Sequence, residues 1–366
     1  MTSPVFAPDY ATARPSFRAA AQAVGAELDE FPHALTGLQG EALAIDVAWL
    51  GPRDARRVLV SISATHGIEG LYGSGCQVGF LQQYGHEVLP PDVAILMIHA
   101  LNPYGFSWLR RVNEDNIDIN RNFIDFTQPS LNPGYETVHD WLPKDWTPET
   151  QSHLKTQIET YMAEVGPAAA ATAISGGQYT HPDGIFYGGA ALCWSNKVLA
   201  TLAQRYLQHA QIMAVLDHHT GLGPQGHTEL ICRHPMGSEA LALAQQWWGR
   251  DVTSPDAGES ISAVLGGNVR MALVDLCPQA VVVAIALEVG TQSEQQVIFS
   301  LLADNWLHQW GDPRCATGDR IRQQVRSAFY LDTDEWRALS YGRAMEIYQQ
   351  GLLGLQTAQP LKRSAR

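Results

Sequence analysis

Four short apolar segments are the feature of this sequence that most constrains its fold. They comprise residues 58–63, 93–98, 211–216 and 281–287. Uninterrupted apolar segments of this length are typical of strands buried on both faces of a parallel sheet. Segments with helical character lie between them, so the alternation predicts an α/β fold with a largely parallel sheet. The length of 366 residues fits one large domain or two, and an edge strand is predicted near residues 42–48.

Polar side chains that can bind a metal follow these strands. His66 and Glu69 come just after the first strand, His219 follows the third, and Glu288 ends the fourth. The carboxyl ends of parallel strands are where ligands bind in open α/β sheets. A histidine and a carboxylate close in sequence, with a third ligand from far along the chain, form a common arrangement for catalytic zinc. The His-x-x-Glu pattern is weak by itself, because it is frequent by chance.

The segment Asp217-His218-His219 contains two histidines, and strand geometry limits how they can contribute. Side chains alternate between the two faces of a strand, so Asp217 and His219 point one way and His218 the other. Only one of the two histidines is therefore expected to face the same site as His66. A carboxylate such as Glu288 at the end of a buried strand is costly unless it has a charged or hydrogen-bonding partner.

Residues 110–123 are dense in Asn, Asp and Arg and show little periodicity. A solvated loop is the simplest interpretation of such a segment, but loops beyond the carboxyl edge of a sheet are also where functional groups tend to lie. Its separated arginines could bind a carboxylate with two hydrogen bonds or polarise a carbonyl. We therefore regard the segment as a candidate substrate-binding loop.

Charge and composition exclude several classes of partner. The formal net charge of −13 argues against nucleic acid and anionic membranes, because phosphate binding requires clustered Lys and Arg. We expect neither a transmembrane helix nor a secretory signal, since no long apolar run and no basic segment before an apolar one is present. The five cysteines are scattered without a Cys-x-x-Cys pair, which is typical of reduced thiols. These features predict a cytoplasmic protein.

The order of these motifs resembles that of the M14 (funnelin) zinc carboxypeptidases, from about Tyr10 to Leu352. The segments 65–70 and 177–189 resemble more closely a bacterial branch of M14-like proteins, the DUF2817 family. The resemblance implies a single domain over residues 1–366, with a mixed, mostly parallel twisted sheet of about eight strands and helices on both faces. It also implies a family-specific insertion at about residues 124–190 that lines the site.

The resemblance also implies roles for individual residues. His66, Glu69 and His219 would bind one Zn²⁺, and Glu288 would act as the general base. Asp118 would contact the ligand His66 and hold its tautomer. Three protein ligands leave a fourth zinc position for water, whose pKa the metal lowers.

Three residues of the polar loop would bind the substrate if the resemblance holds. Arg111 would polarise the scissile carbonyl, while Asn120 and Arg121 would bind a terminal carboxylate. The implied function is a zinc-dependent hydrolase that cleaves an amide bond next to a free carboxylate, in a peptide or a small molecule. A deacylase of N-acyl amino acids and a non-catalytic binding protein stay open as alternatives on this scaffold. Assembly into a homo-oligomer is also left open.

Two departures from the carboxypeptidase pattern concern substrate closure. The turn 102–105 has Tyr104 where the family has an aspartate, and no tyrosine occurs between His219 and Glu288. The family's lid tyrosine would be expected there, near residues 264–268. Closure over the substrate is therefore expected to differ from that of the carboxypeptidases.

Overall fold

The computed structural model describes residues 5–260 and 266–358, and its named strands form one eight-stranded sheet. The strands are β1 Glu27–Thr36, β2 Ala42–Leu50, β3 Arg57–Ile62, β4 Val93–His99, β5 Ile212–Thr220, β6 Thr228–Cys232, β7 Val252–Thr253 and β8 Val281–Val289. Their order across the sheet is β1-β2-β4-β3-β5-β8-β6-β7. The central strands β4, β3, β5 and β8 are parallel, whereas β2 and β6 join them antiparallel. The predicted α/β fold with a mixed, mostly parallel sheet is confirmed.

Twelve α-helices are present in the described part of the chain. They are α1 Tyr10–Ala23, α2 Gly70–Tyr84, α3 Pro103–Trp108, α4 Gly134–Asp140, α5 Pro148–Val165, α6 Pro167–Ser175, α7 Trp194–Tyr206, α8 Glu239–Trp248, α9 Val269–Leu276, α10 Glu294–Gln309, α11 Ala316–Phe329 and α12 Asp334–Thr357. Within those residues, none of the helices combines the length and apolar character needed to cross a bilayer.

The alternation of side chains along the central strands creates two apolar layers, one on each face of the sheet. Val58 and Val60 of β3 pack with the layer that contains α7 and α9, whereas Leu59 packs with the layer that contains α2 and α12. Full burial of an aliphatic side chain stabilises the fold by about 1.5–3 kcal/mol. Both faces of these strands must therefore be apolar, which is why polar groups collect at the strand ends.

The prediction that residues 42–48 form an edge strand is wrong in its placement. β2 lies between β1 and β4 and is buried along most of its length, and its one acidic residue, Asp46, is paired with Arg14 at 2.7 Å. The edge strand on this side of the sheet is β1, which the sequence pattern did not reveal. β1 is half-exposed, carries several charged residues and contains Pro32, features that are tolerated at the edge of a sheet but do not produce an apolar signal.

Candidate metal centre and substrate pocket

The loop after β3 carries two of the candidate ligands on a tightly packed backbone. His66 precedes a single 3₁₀ turn, Gly67–Glu69, which leads directly into α2. The Gly67 N–H donates to the Arg111 carbonyl at 3.1 Å. A Cβ on Gly67 would lie 2.0 Å from the backbone carbon of Gly105, so this close approach requires glycine. The contact holds the His66 loop against the polar loop that carries Arg111.

His66, Glu69 and His219 converge on one buried point. The Nδ1 atom of His66 lies 2.9 Å from Glu69 Oε1, and that of His219 lies 2.8 Å from Glu69 Oε2. The two Nδ1 atoms are 3.2 Å apart. Donor atoms bound tetrahedrally to one zinc ion are themselves roughly 3.3 Å apart. The three side chains therefore stand at distances that suit a single shared ion.

Each histidine of this group has a buried carboxylate behind its other nitrogen. His219 Nε2 lies 2.8 Å from Asp217 Oδ2, and His66 Nε2 lies 3.4 Å from Asp118 Oδ1, a contact without hydrogen-bond geometry. With a metal bound, a hydrogen on Nε2 facing each carboxylate would leave the Nδ1 lone pair of each histidine for the ion. Two imidazole nitrogens and one carboxylate in this arrangement are a donor set that fits zinc.

The electrostatics of the group favour a positive charge at its centre. Burial raises the pKa of Glu69, but His66 and His219 outweigh this effect and lower it to about 2. Burial lowers the pKa of His219, but Asp217 and Glu69 outweigh it and raise the value to about 10. In the metal-free protein a proton supplies the charge, and a metal ion would compete with that proton for the same atoms.

His218 lies on the opposite face of β5, as the alternation of side chains requires. Its Nε2 is 2.9 Å from the Tyr348 hydroxyl, and burial lowers its pKa to about 3. A neutral, buried histidine in contact with Tyr72 and Tyr348 is part of the apolar layer and does not reach the metal-ligand group.

Glu288 is beside His219, because the two residues are register partners on the parallel strands β5 and β8. Its Oε1 accepts a hydrogen bond of 3.0 Å from the Leu222 N–H. Burial, followed by repulsion from Glu69, raises the pKa of Glu288 to about 7. A carboxylate with such a pKa can take up and release a proton near neutral pH, which is the property required of a general base.

The raised pKa of Glu288 predicts that the metal-free protein becomes less stable as the pH rises. The folded-state pKa of about 7 lies above the ordinary value of 4.5, so between these values the folded chain holds a proton that the unfolded chain has released. The free energy of unfolding then falls as the pH rises through this window. The loss is up to about 3 kcal/mol, because each pKa unit corresponds to about 1.4 kcal/mol.

Glu288→Gln removes this titrating group and provides the comparison. Denaturant unfolding of the metal-free wild type and variant is measured at about pH 4.5 and pH 8. We expect the variant to gain stability relative to the wild type at the higher pH. A difference that is equal at both pH values would contradict the prediction.

Arg111 and Asp118 connect the polar loop to the ligand group. Arg111 Nε donates to Asp118 Oδ2 at 3.1 Å, and its Nη1 lies 3.7 Å from Glu69 Oε1. The guanidinium also lies over the Phe186 ring at 5.1 Å. Burial raises the pKa of Asp118, but Arg111 and Arg121 outweigh this and hold it well below its usual range. Asp118 is thus a permanent anion that orients Arg111 toward the centre of the site.

Asn120 and Arg121 line the same cavity as the ligand group. Asn120 Oδ1 accepts a hydrogen bond of 3.0 Å from the Val269 N–H. Arg121 donates to the carbonyls of Asn120 and Ser175, each at 3.1 Å. Its Nε has no hydrogen-bond partner among the described residues, although the side chain is buried. Arg121 therefore lines the cavity with one hydrogen-bond donor that has no partner among the described residues.

The cavity brings these groups together and includes residues that the sequence did not single out. Its wall contains the ligand group, Glu288, Arg111, Asn120 and Arg121, together with Ala171, Ser175, Phe186, Arg233 and Arg270. Ala171 and Ser175 belong to α6, so part of the segment predicted as an insertion, residues 124–190, lines the site.

Arg233 and Arg270 were missed because neither belongs to a recognisable motif. Arg270 is a basic residue near the start of the otherwise largely apolar α9, and Arg233 directly follows β6. A charge inside an apolar helix and a charge just after a strand are the two signals that could have indicated them.

The two departures from the carboxypeptidase pattern, at the turn 102–105 and near residues 264–268, have different outcomes. Asn102 caps α3, its Oδ1 accepting from the Gly105 N–H at 2.8 Å, while Tyr104 stacks on Trp108. The turn is therefore retained without the aspartate. The family's lid tyrosine would be expected near residues 264–268, and of these, residues 264 and 265 lie outside the described residues.

A second group of possible metal ligands lies at the surface, formed by His139, His181 and Asp183. The rings of His139 and His181 stack with centroids 3.8 Å apart, and His181 Nε2 lies 2.9 Å from the exposed Glu136. This group is half-exposed and does not line the cavity described above. It is less suited to catalysis than the buried group.

Comparison with known proteins places this α/β chain, with its buried His–Glu–His group at the carboxyl edge of the sheet, in a family. Residues 6–341 match the family described as "Protein of unknown function (DUF2817)". The chain belongs to the DUF2817 family, as its motifs predicted. No curated protein matches the chain in sequence.

Several solved structures resemble the chain at low identity. Carboxypeptidase A from Helicoverpa armigera is 11% identical, with 87% of this chain and 73% of that one covered and a TM-score of 0.42. A proposed metallopeptidase from Shewanella amazonensis is 15% identical, with coverages of 85% and 96% and a TM-score of 0.43. A proposed succinylglutamate desuccinylase/aspartoacylase family protein from the same organism is 18% identical, with coverages of 78% and 73% and a TM-score of 0.37. Similarity at this level is not evidence for a shared activity.

Proposed function

We propose that this protein is a zinc-dependent hydrolase that cleaves an amide bond next to a free carboxylate. The observation that carries the proposal is the convergence of His66, Glu69 and His219 in one cavity with Glu288. A protein that only binds a ligand has no need of a buried carboxylate with a pKa near neutrality beside a metal-ligand group. This argument favours an enzyme over a binding protein.

Each polar residue of the site has a role in this reaction. A zinc ion held by His66, Glu69 and His219 would act as a Lewis acid and lower the pKa of water. Glu288, whose Oε1 is held by the Leu222 N–H, removes the proton from the attacking water and delivers it to the leaving nitrogen. Arg111, fixed by Asp118, stabilises the negative charge that develops on the carbonyl oxygen.

Asn120 and Arg121 bind the free carboxylate of the substrate in this proposal. The Asn120 side chain is anchored through its Oδ1 to the start of α9, and Arg121 lines the cavity with an Nε that has no partner among the described residues. A carboxylate bound here positions the neighbouring amide near Glu288, and such positioning accounts for much of an enzyme's rate enhancement. The substrate is thus a peptide or small molecule with a carboxylate close to the bond.

A deacylase of N-acyl amino acids is the second candidate. No tyrosine occurs between His219 and Glu288, so the chain lacks the lid residue that its carboxypeptidase-like motifs would predict. An N-acyl amino acid presents the same amide and carboxylate as a C-terminal residue, without a long peptide over the site. The same residues would then act on a smaller substrate.

A hydrolysis screen together with metal analysis tests the proposed function. The purified protein is analysed for zinc and then given peptides with free C-termini, the same peptides amidated, and N-acyl amino acids. We expect about one zinc per chain and turnover that is much faster for compounds with a free carboxylate than for their amidated analogues. A protein that binds no zinc at neutral pH would contradict the mechanism.

Arg121→Ala is expected to weaken the use of substrates with a free carboxylate by about 10–100-fold in kcat/KM, the range for hydrogen bonds to charged groups. An amidated analogue lacks the group that Arg121 would bind, so its residual cleavage should change much less. The measurement is the ratio of kcat/KM for the two substrates, which cancels any loss of folded protein. Arg320→Ala, on the exposed side of α11, is the control. Equal losses on both substrates would mean that Arg121 is structural.

A further inference from the structure

An arginine that none of these roles uses lies buried in the same cavity. The side chain of Arg270 is 3% exposed, and its one ion-pair contact among the described residues joins Nη1 to Asp217 Oδ2 at 3.8 Å. That oxygen is already 2.8 Å from His219 Nε2, and the other accepts from Thr65 Oγ1 at 2.6 Å. The Arg270 Nε has no hydrogen-bond partner within the described residues. Arg270 is therefore a buried cation that the chain neutralises only in part, an arrangement that is strongly destabilising unless a partner arrives.

Two further arginines of the cavity, Arg121 and Arg233, increase the positive charge near Arg270. Burial lowers the pKa of both Arg121 and Arg270. Burial, followed by repulsion from Arg270 and Arg121, lowers the pKa of Arg233 to about 9, although Asp256 opposes the change. The folded chain thus disfavours the charged forms of this cluster, and an anion bound among them would reverse that effect.

The acidic groups of the cavity wall are shared among several partners. Asp118 contacts Arg111, His66 and, at 4.0 Å, Arg121, and Glu69 lies between the two histidine Nδ1 atoms. Glu288 accepts from a backbone N–H and is repelled by Glu69. Among the described residues, Arg270 therefore has only its 3.8 Å contact with Asp217 as an ion pair.

The position of Arg270 shows which part of a substrate it would meet. The Val269 N–H donates to Asn120 Oδ1 at 3.0 Å, so Arg270 follows directly on the residue that anchors the Asn120–Arg121 pair. Arg270 and Arg121 both line the cavity, and Arg270 is close enough to be among the charges that lower the pKa of Arg121. A second anionic group held there would belong to the same amino acid as the first carboxylate, the one that carries the leaving nitrogen.

We propose that Arg270 forms a second anion subsite that selects substrates whose leaving amino acid is glutamate or aspartate. This inference rests on the proposed function, because it names the substrate class of that hydrolase. The substrates are peptides with a C-terminal acidic residue, or N-acyl derivatives of such a residue. Hydrolysis is unchanged: the water oxygen bonds to the carbonyl carbon, the C–N bond breaks, and the nitrogen leaves as the amine of free glutamate or aspartate.

The test compares leaving residues that differ in charge and are similar in shape. The zinc-loaded protein is given N-acetyl-alanyl-glutamate, N-acetyl-alanyl-glutamine and N-acetyl-alanyl-leucine, and also N-acetylglutamate and N-acetylglutamine. We expect kcat/KM to be about 10–100-fold higher for glutamate than for glutamine, because each added contact joins two charged groups. Arg270→Gln should lower this ratio by about tenfold or more, whereas Arg320→Gln should leave it unchanged. Because the readout is a ratio, it does not depend on the fraction of folded variant, and Arg270→Met serves if Arg270→Gln does not fold.

The outcomes separate this inference from the proposed function. Equal hydrolysis of the glutamate and glutamine compounds would overturn the second subsite and leave the hydrolase intact. If no compound is hydrolysed, the proposed function fails, and calorimetric binding of free glutamate and glutamine to the zinc-loaded protein decides the subsite. Preferential binding of glutamate that Arg270→Gln abolishes would support it, and equal or absent binding of both amino acids would overturn it.

Discussion

Glu288→Gln is expected to lower kcat by about 10²–10⁴-fold, the usual contribution of general acid–base catalysis, while the fold and metal content are retained. The amide has nearly the same shape as the carboxylate, so packing at the end of β8 survives. It cannot accept the proton of the attacking water. Zinc content, melting temperature and kcat are measured on one preparation. An unchanged kcat with a lowered melting temperature would end the assignment of Glu288 as the base.

Glu229→Gln is the matched control for this variant. Glu229 is the register partner of Glu288 on β6, is also buried, and accepts a hydrogen bond of 2.6 Å from Thr253 Oγ1. It does not line the cavity of the described structure. The same change of acid to amide should therefore leave kcat per folded molecule close to that of the wild type. A large loss at Glu229 would show that the effect is not specific to the base.

His219→Asn is expected to lower zinc affinity by at least about 100-fold. Loss of a partner that only orients a ligand already costs about 10–100-fold, and this variant removes a ligand. The zinc-dependent stabilisation should disappear with it. In the wild type, free zinc at about 1,000 times its Kd adds about 4 kcal/mol to the free energy of unfolding. Competition with a chromogenic chelator and thermal unfolding with and without zinc measure the two effects.

His218→Asn provides the control for the metal prediction, because it changes the adjacent residue on the opposite face of β5. Its expected effect is a loss of stability through the contact with Tyr348, with zinc affinity close to that of the wild type. If His218→Asn released zinc and His219→Asn retained it, the assignment of ligands along β5 would be reversed.

Local sequence patterns predicted much of the fold and part of the candidate site. The four apolar segments are strands in the structure, because an uninterrupted apolar sequence of that length is stable only where both of its faces are covered. The periodicity of a strand separates His218 from His219 without knowledge of any neighbour. The same reasoning did not identify the edge strand β1, because its exposed residues and Pro32 interrupt the apolar sequence pattern.

The arrangement of the site depended on contacts that no local pattern contains. His66 and His219 are 153 residues apart in sequence, and they meet because β5 pairs with β3 on one side and with β8, which carries Glu288, on the other. The sequence by itself determined which residue types end the strands and which faces they occupy, since both follow from side-chain polarity and backbone periodicity. The tertiary structure decided which strand ends are neighbours, how burial shifts the pKa of Glu288, and that Arg270 enters the same cavity. These properties arise from packing between distant segments, and packing is a property of the whole folded chain.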